Sequence, residues 1–183
     1  MKTRMRNPAL VLPGAMEGIQ VLNKAKADGG VPHSTLGLIH LRVSQINGCG
    51  VCVESGSRGL KAAGESDERV FAVAAWRETP HFSEEERAAL ALAEAVTRLS
   101  DRPDPVPDQV WEEAAKHYDE RGLAALILET VVANAYNRFN VATRQIGSWG
   151  GQQGDWQGRQ GGWSESEAEE WRRAQTGGER SKG

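Results

Sequence analysis

The chain has 183 residues, 39% hydrophobic and 26% charged, with a net charge of −3. That length suits one domain, two at most, and the weak negative charge excludes a global basic field for nucleic acid. No run of about 18 apolar residues is present to span a bilayer, and two cysteines cannot staple a secreted scaffold. The basic start leads into an apolar run, Ala9 to Leu12, that Pro13-Gly14 ends too soon for a signal-peptide core. The expected location is cytoplasmic. Thiols are kept reduced there, so a cysteine pair calls for chemistry or metal rather than stapling.

A helical pattern begins at Gly14 and stops at Asp28-Gly29-Gly30. A second follows His33-Ser34, with Leu36, Ile39, Val43 and Ile46 at spacings of three and four, and ends at Asn47-Gly48. Val51 to Ala63 reads as a third helix closed by Gly64. The fourth starts at Ser66-Asp67, with Val70, Val73 and Ala74 on one side. Ser83 and Glu86 have the spacing of a capping box, and the helix behind them carries Ala88, Leu92, Ala95 and Leu99 at core spacing. Glu84-Glu85-Glu86 is an acidic first turn that suits the helix dipole.

Three prolines make Asp101 to Pro107 a connector, and Asp108 opens an amphipathic stretch through Tyr118. Last comes Gly122 to about Gln145, apolar on nearly every side from Leu123 to Ala135, as suits a core or a subunit interface. Glu129, Asn134 and Arg138 argue against a membrane span there. No segment alternates with period two. The expected fold is all-α with seven helices.

Composition changes near residue 147. From Ser148 onward, 36 residues hold 9 of the 21 glycines and 4 of the 6 tryptophans, and no Leu, Ile, Val or Phe. Such a segment cannot bury enough surface to offset its ordering entropy. The expected division is therefore a helical domain at 1–147 and a Gly/Gln/Trp-rich flexible tail at 148–183.

The sharp chemical signal is Cys49-Gly50-Val51-Cys52, between a helix stop and the next helix start. A thiol at a helix N-terminus faces unpaired N–H groups and the positive end of the dipole, which favour thiolate. Residues i and i+3 share a helical face, so the two sulfurs can close into a disulfide. Zinc would need about four ligands, and the histidines at 33, 40, 81 and 117 have no ligand spacing. Two small buried hydrophobes remain an alternative reading of the pair. No metal or cofactor motif is found. His40 precedes the pair and is a candidate base, set against an ordinary core or surface role. His81 reads as solvated, His117 as a boundary residue, and Ser55-Gly56-Ser57 as helix surface or a tight packing point.

The stretch Leu41 to Cys52 resembles the core motif of the carboxymuconolactone decarboxylase and alkylhydroperoxidase D superfamily. The resemblance continues through Phe71 to Arg77, Leu90 to Val96 and Asn134 to Asn140, covering most of residues 10 to 146. It implies an all-helical fold assembled as a homotrimer or homohexamer. In the peroxidase branch it implies Cys52 as the nucleophile toward peroxide and Cys49 as the resolving thiol, with a dithiol partner protein reducing the disulfide. The family's proton relay places a Glu twelve residues before the first cysteine and a His four after the second; Gly37 and Gly56 stand there. Those glycines suggest a cavity where the relay stood, or a degenerate copy, and a weakened turnover.

The expected function is thus a thiol-dependent antioxidant, of the peroxidase or disulfide-reductase kind, acting on a peroxide or small organic substrate. The alternatives are a decarboxylase-like enzyme on the same fold, or a non-catalytic small-molecule-binding or redox-sensing protein.

Overall fold

A computed structural model describes residues 2–100 and 102–147. The expected tail, 148–183, lies outside the described residues. Within them are seven α-helices and no strand: α1 (Ala15–Ala25), α2 (His33–Ile46), α3 (Gly50–Ala62), α4 (Asp67–Ala72), α5 (Glu84–Thr97), α6 (Asp108–His117) and α7 (Glu120–Thr143). Short 3₁₀ turns follow α1 at Lys26–Gly29 and α4 at Val73–Glu78, and another, Pro8–Leu10, precedes α1.

The helix boundaries follow local chemistry. Gly48 adopts φ 65°, which only glycine holds without strain, and lets Cys49 N–H donate back to the Ser44 carbonyl at 3.0 Å. Ser83 and Glu86 make the expected capping box at the start of α5. Asp119 caps α7 through Gly122 N–H at 2.8 Å, so that helix starts at Glu120, slightly before the expected position.

Two expected core positions are corrected. Ala74 is exposed, because the α-helix tightens to a 3₁₀ turn at Val73. The period becomes three, and Val70, Val73 and Trp76 line the buried side instead. Leu99 is exposed because α5 ends at Thr97, and Arg98 leaves helical geometry before Leu99 can turn inward.

Helix α7 is the central element, packed by α1, α2, α3, α5 and α6. One apolar cluster joins α2, α5, α6 and α7 through Ile39, Val43, Leu92, Ala114 and Leu126. A second, with Leu38, Leu41, Leu60, Val73, Trp76 and Leu90, fills the other side of α2. The N-terminal segment and α1 form a third with Val132 and Tyr136 of α7. The apolar character of α7 is therefore spent mostly inside the chain, with Val131 and Val141 among the few large apolar side chains it exposes. Helix α2 is apolar on two sides for the same reason, lying between two clusters with its C-terminal end delivering Cys49.

Candidate active site

Cys49 is the N-cap of α3, and its sulfur accepts the N–H of Cys52 at 3.4 Å. The two sulfurs are bonded, with Cα atoms 5.3 Å apart. Both residues are about as buried as any in the chain, at 1% exposure. The helix-terminus placement expected from the sequence is thus present, and with it the positive dipole end and backbone donors that favour a thiolate once the bond is reduced.

Around the pair, α7 contributes an asparagine ladder. Asn134, Asn137 and Asn140, spaced by three, face the junction of α2 and α3. Asn137 donates to Ser44 Oγ at 3.1 Å and accepts from Asn47 Nδ2 at 2.8 Å. Asn134 accepts from the same nitrogen at 3.0 Å. These bonds fix the end of α2, and hence the start of α3. Asn140 donates to Cys52 Sγ at 3.2 Å.

His40 lies on α2 beside Gly56, which follows Cys52 by one turn on the same face of α3. A Cβ at position 56 would stand 3.2 Å from His40 Cδ2 and 3.8 Å from Leu41 Cα. The Ser55-Gly56-Ser57 stretch is therefore a tight packing point, as one of its two readings had it. His40 Nδ1 is 3.3 Å from Glu129 Oε1 on α7, and Lys26 Nζ pairs with Glu129 Oε2. Glu129 is buried. Burial alone would push its carboxyl up, but the Lys26 ammonium and the His40 contact outweigh this and hold it down at about 2. An ionised carboxylate only accepts, so it favours a proton on the ring nitrogen that faces it. In the neutral ring Nε2, next to Cδ2 and on the Gly56 side, then holds the lone pair.

The expected cavity at the relay positions is not there. Gly37 faces Leu60: a Cβ at 37 would come 2.7 Å from Leu60 Cδ2, and Leu60 is a fully enclosed core residue. At Gly56 the His40 ring takes the space. Both glycines are therefore close-packing positions, each filled from the neighbouring helix. His81 is exposed, and its carbonyl accepts from Arg69. His117, at the end of α6, faces Glu113 at 3.6 Å and Glu85 at 4.0 Å. Sequence reading missed Glu129, Lys26 and Asn140 as members of the site. The period-three asparagines and the single Glu129 within the apolar stretch of this helix were the signals that could have pointed to α7.

An all-helical bundle that presents a C-x-x-C pair at a helix N-terminus, beside a histidine, defines a class of helical dithiol proteins. The carboxymuconolactone decarboxylase family profile matches residues 13–95. The uncharacterized protein YdfG of Bacillus subtilis is 32% identical over 132 residues, covering 72% of this chain and 88% of its own length. YnjA of Escherichia coli, also uncharacterized, is 36% identical over 105 residues, covering 57% of this chain and 56% of its own. Among solved structures, the Agrobacterium tumefaciens protein ATU0492, of unknown function and suggested as an antioxidant defence protein AhpD, superposes with TM-score 0.75 at 30% identity. The match covers 81% of this chain and 100% of that one. The debrominase Bmp8 shares the fold, with TM-score 0.65 at 22% identity over 75% of this chain and 73% of its own. The chain belongs to the carboxymuconolactone decarboxylase family, whose superfamily includes oxidoreductases and decarboxylases. No helix among the described residues is long and apolar enough to cross a membrane.

Proposed function

We propose that the protein is a thiol-dependent peroxidase or disulfide reductase of the alkylhydroperoxidase D kind, with Cys52 as nucleophile, Cys49 as resolving thiol and His40 as base. The observation that carries this reading is the placement of the Cys49–Cys52 pair at the N-terminus of α3, with the His40 ring packed one turn beyond Cys52 and oriented by buried Glu129. His40 takes the Cys52 thiol proton through Nε2. The thiolate attacks one peroxide oxygen, the O–O bond breaks, and the leaving alkoxide recovers a proton from the imidazolium. Cys52 is then a sulfenic acid. Cys49 attacks its sulfur, water leaves, and the disulfide forms. A dithiol partner protein returns two electrons and two protons and is itself oxidised to a disulfide.

Lys26 and Glu129 give this base an arrangement different from a Glu and His at positions 37 and 56. Such general-base assistance is worth about 10²–10⁴ in rate. The near-complete burial of both sulfurs favours a second reading, a redox-sensing protein whose disulfide reports oxidation without rapid turnover. In either reading residues 1–147 act as the working domain. A cytoplasmic homo-oligomer, trimer or hexamer, is also proposed, supported by the family resemblance and by exposed Val21, Leu22 and Val131; light scattering tests it.

The test is peroxide consumption with a small dithiol as reductant, followed by mass spectrometry. Turnover lost in Cys52→Ser, with a sulfenic acid trapped at Cys52 in Cys49→Ser, is the expected result. A reversible bridge without turnover would replace this reading by the sensor, and turnover unchanged in both variants would point to decarboxylase-like chemistry that does not use the pair.

A further inference from the structure

Asn140 and Asn7 are both buried, at 2% exposure, and together they end at the Cys52 sulfur. The backbone N–H of Ala9 can only donate, and it donates to Asn7 Oδ1 at 2.9 Å. That fixes the Asn7 amide with its nitrogen toward α7, where Nδ2 donates to Asn140 Oδ1 at 2.9 Å. With its oxygen engaged, Asn140 must turn its own NH₂ to Cys52 Sγ, 3.2 Å away. A series of three hydrogen bonds, starting from a backbone group, thus decides which end of one amide meets the sulfur.

A disulfide or neutral thiol sulfur is a weak acceptor. A thiolate is a strong one, because hydrogen bonds to an ionised partner are roughly twice as strong as neutral ones. Burying two asparagines costs desolvation, and the arrangement recovers most when Cys52 is ionised. Cys49 is served differently, by the backbone N–H of Cys52.

We propose that Asn140 is the donor that holds Cys52 as the thiolate in the reduced protein, and that Asn7 is a positioning residue that keeps that donor turned to the sulfur. This assignment rests on Cys49–Cys52 being a working dithiol. It makes the N-terminal segment part of the site. That segment is laid along the end of α7 by Arg4 N–H to the Thr143 carbonyl at 2.9 Å and by Gln145 Nε2 to the Met5 carbonyl at 2.8 Å.

The experiment titrates Cys52 by its ultraviolet thiolate absorbance in Cys49→Ser, where serine preserves the N-cap of α3. The titratable side chains near this junction include His40 of α2, Glu54 of α3, Glu129 of α7 with its partner Lys26, and Arg4 and Arg6 of the N-terminal segment. All stay unchanged, so their fields are common to every variant. Asn140→Leu, close in size and neutral, should leave at least tenfold less thiolate at a fixed pH below the midpoint. Asn7→Asp touches no sulfur and keeps the acceptor for Ala9, but it demands the Asn140 NH₂ and turns the Asn140 oxygen to Cys52; it should move the midpoint the same way. Asn7→Ala, with no added charge, should follow by a smaller factor.

An unchanged midpoint in folded Asn140→Leu overturns the proposal. If that variant does not fold, an unchanged midpoint in both position-7 variants does so instead. The titration needs no peroxide, so absent turnover with shifted midpoints defeats the peroxidase reading alone. Full turnover with unshifted midpoints defeats this assignment alone.

Discussion

The imidazole of His40 fills the space in front of Gly56, where a Cβ would stand 3.2 Å from Cδ2 and its other ring edge meets Glu129 at 3.3 Å. A histidine from α2 thus occupies the room that a side chain at position 56 of α3 would enter. Two histidines cannot share that space, so glycine at position 56 fits the ring packed against it.

Rebuilding the family relay in this chain should therefore fail. Gly56→His should displace His40, and Gly37→Glu should drive a carboxylate against Leu60 in the core. Overpacking costs about 1–3 kcal/mol, and an unpaired buried carboxylate costs more. Thermal melts should fall for each single variant, with no rise in peroxide turnover. A folded double variant with tenfold higher turnover would show that the space accepts the original pair.

His40→Gln should lower turnover by about 10²–10⁴ while the disulfide still forms with strong oxidants. Steady-state kinetics across pH checks it. Turnover equal to the parent would move the base elsewhere.

Glu129 ties acid stability to this site. Its carboxyl sits at about 2 in the folded chain against an ordinary 4.5. A depressed carboxylate contributes stability that is fully present above about pH 4.5 and lost as pH falls through about 2, and the difference is of order 3 kcal/mol. Stability measured by denaturant unfolding should fall steadily as pH is lowered through that window. In Glu129→Gln the profile there should be flatter, with lower stability at neutral pH. Parallel profiles would show that the ion pair with Lys26 contributes nothing net.

A second buried carboxylate holds the 3₁₀ turn after α4. Glu94 accepts from Arg42 Nε at 2.5 Å, Trp76 Nε1 at 3.0 Å and Arg77 at 2.6 Å, and the Arg77 guanidinium lies 4.0 Å over the Trp76 ring. Burial pushes the Glu94 carboxyl up, but these donors outweigh that and hold it below the usual range. Glu94→Leu leaves Arg42 half-enclosed without its partner and should cost about 3–5 kcal/mol. The Cys52 titration should not move. Chemical denaturation and the thiolate absorbance together check this, and an unchanged denaturation midpoint would refute it.

A chain ending at Gly147 should melt like the full chain. The packing of α7 closes within the described residues: Arg144 takes the left-handed C-cap, and Gln145 N–H bonds back to the Asn140 carbonyl at 2.9 Å. A large fall in melting temperature on truncation would show that the tail's tryptophans pack on the body.

Periodicity, glycine stops and caps act over three or four residues, so the sequence by itself determined the seven helices, the stop at Gly48, the capping box at Ser83 and the C-x-x-C pair at a helix start. Even the expected misplacements were local: Ala74 and Leu99 fall outside the core because the helices tighten or end a residue or two early. Which side chains meet the sulfurs was a different matter. Asn7, His40 and the α7 pair Glu129 and Asn140 come from three separate segments. Their pairing depends on how α2, α3 and α7 cross, and no spacing along the chain encodes that. Gly37 and Gly56 read as losses for the same reason, since only packing could reveal that Leu60 and His40 occupy the room they leave. Tertiary structure decided that His40 meets Glu129 and that Asn140 meets Cys52, because such pairings depend on distances of about 3 Å between residues up to 133 positions apart.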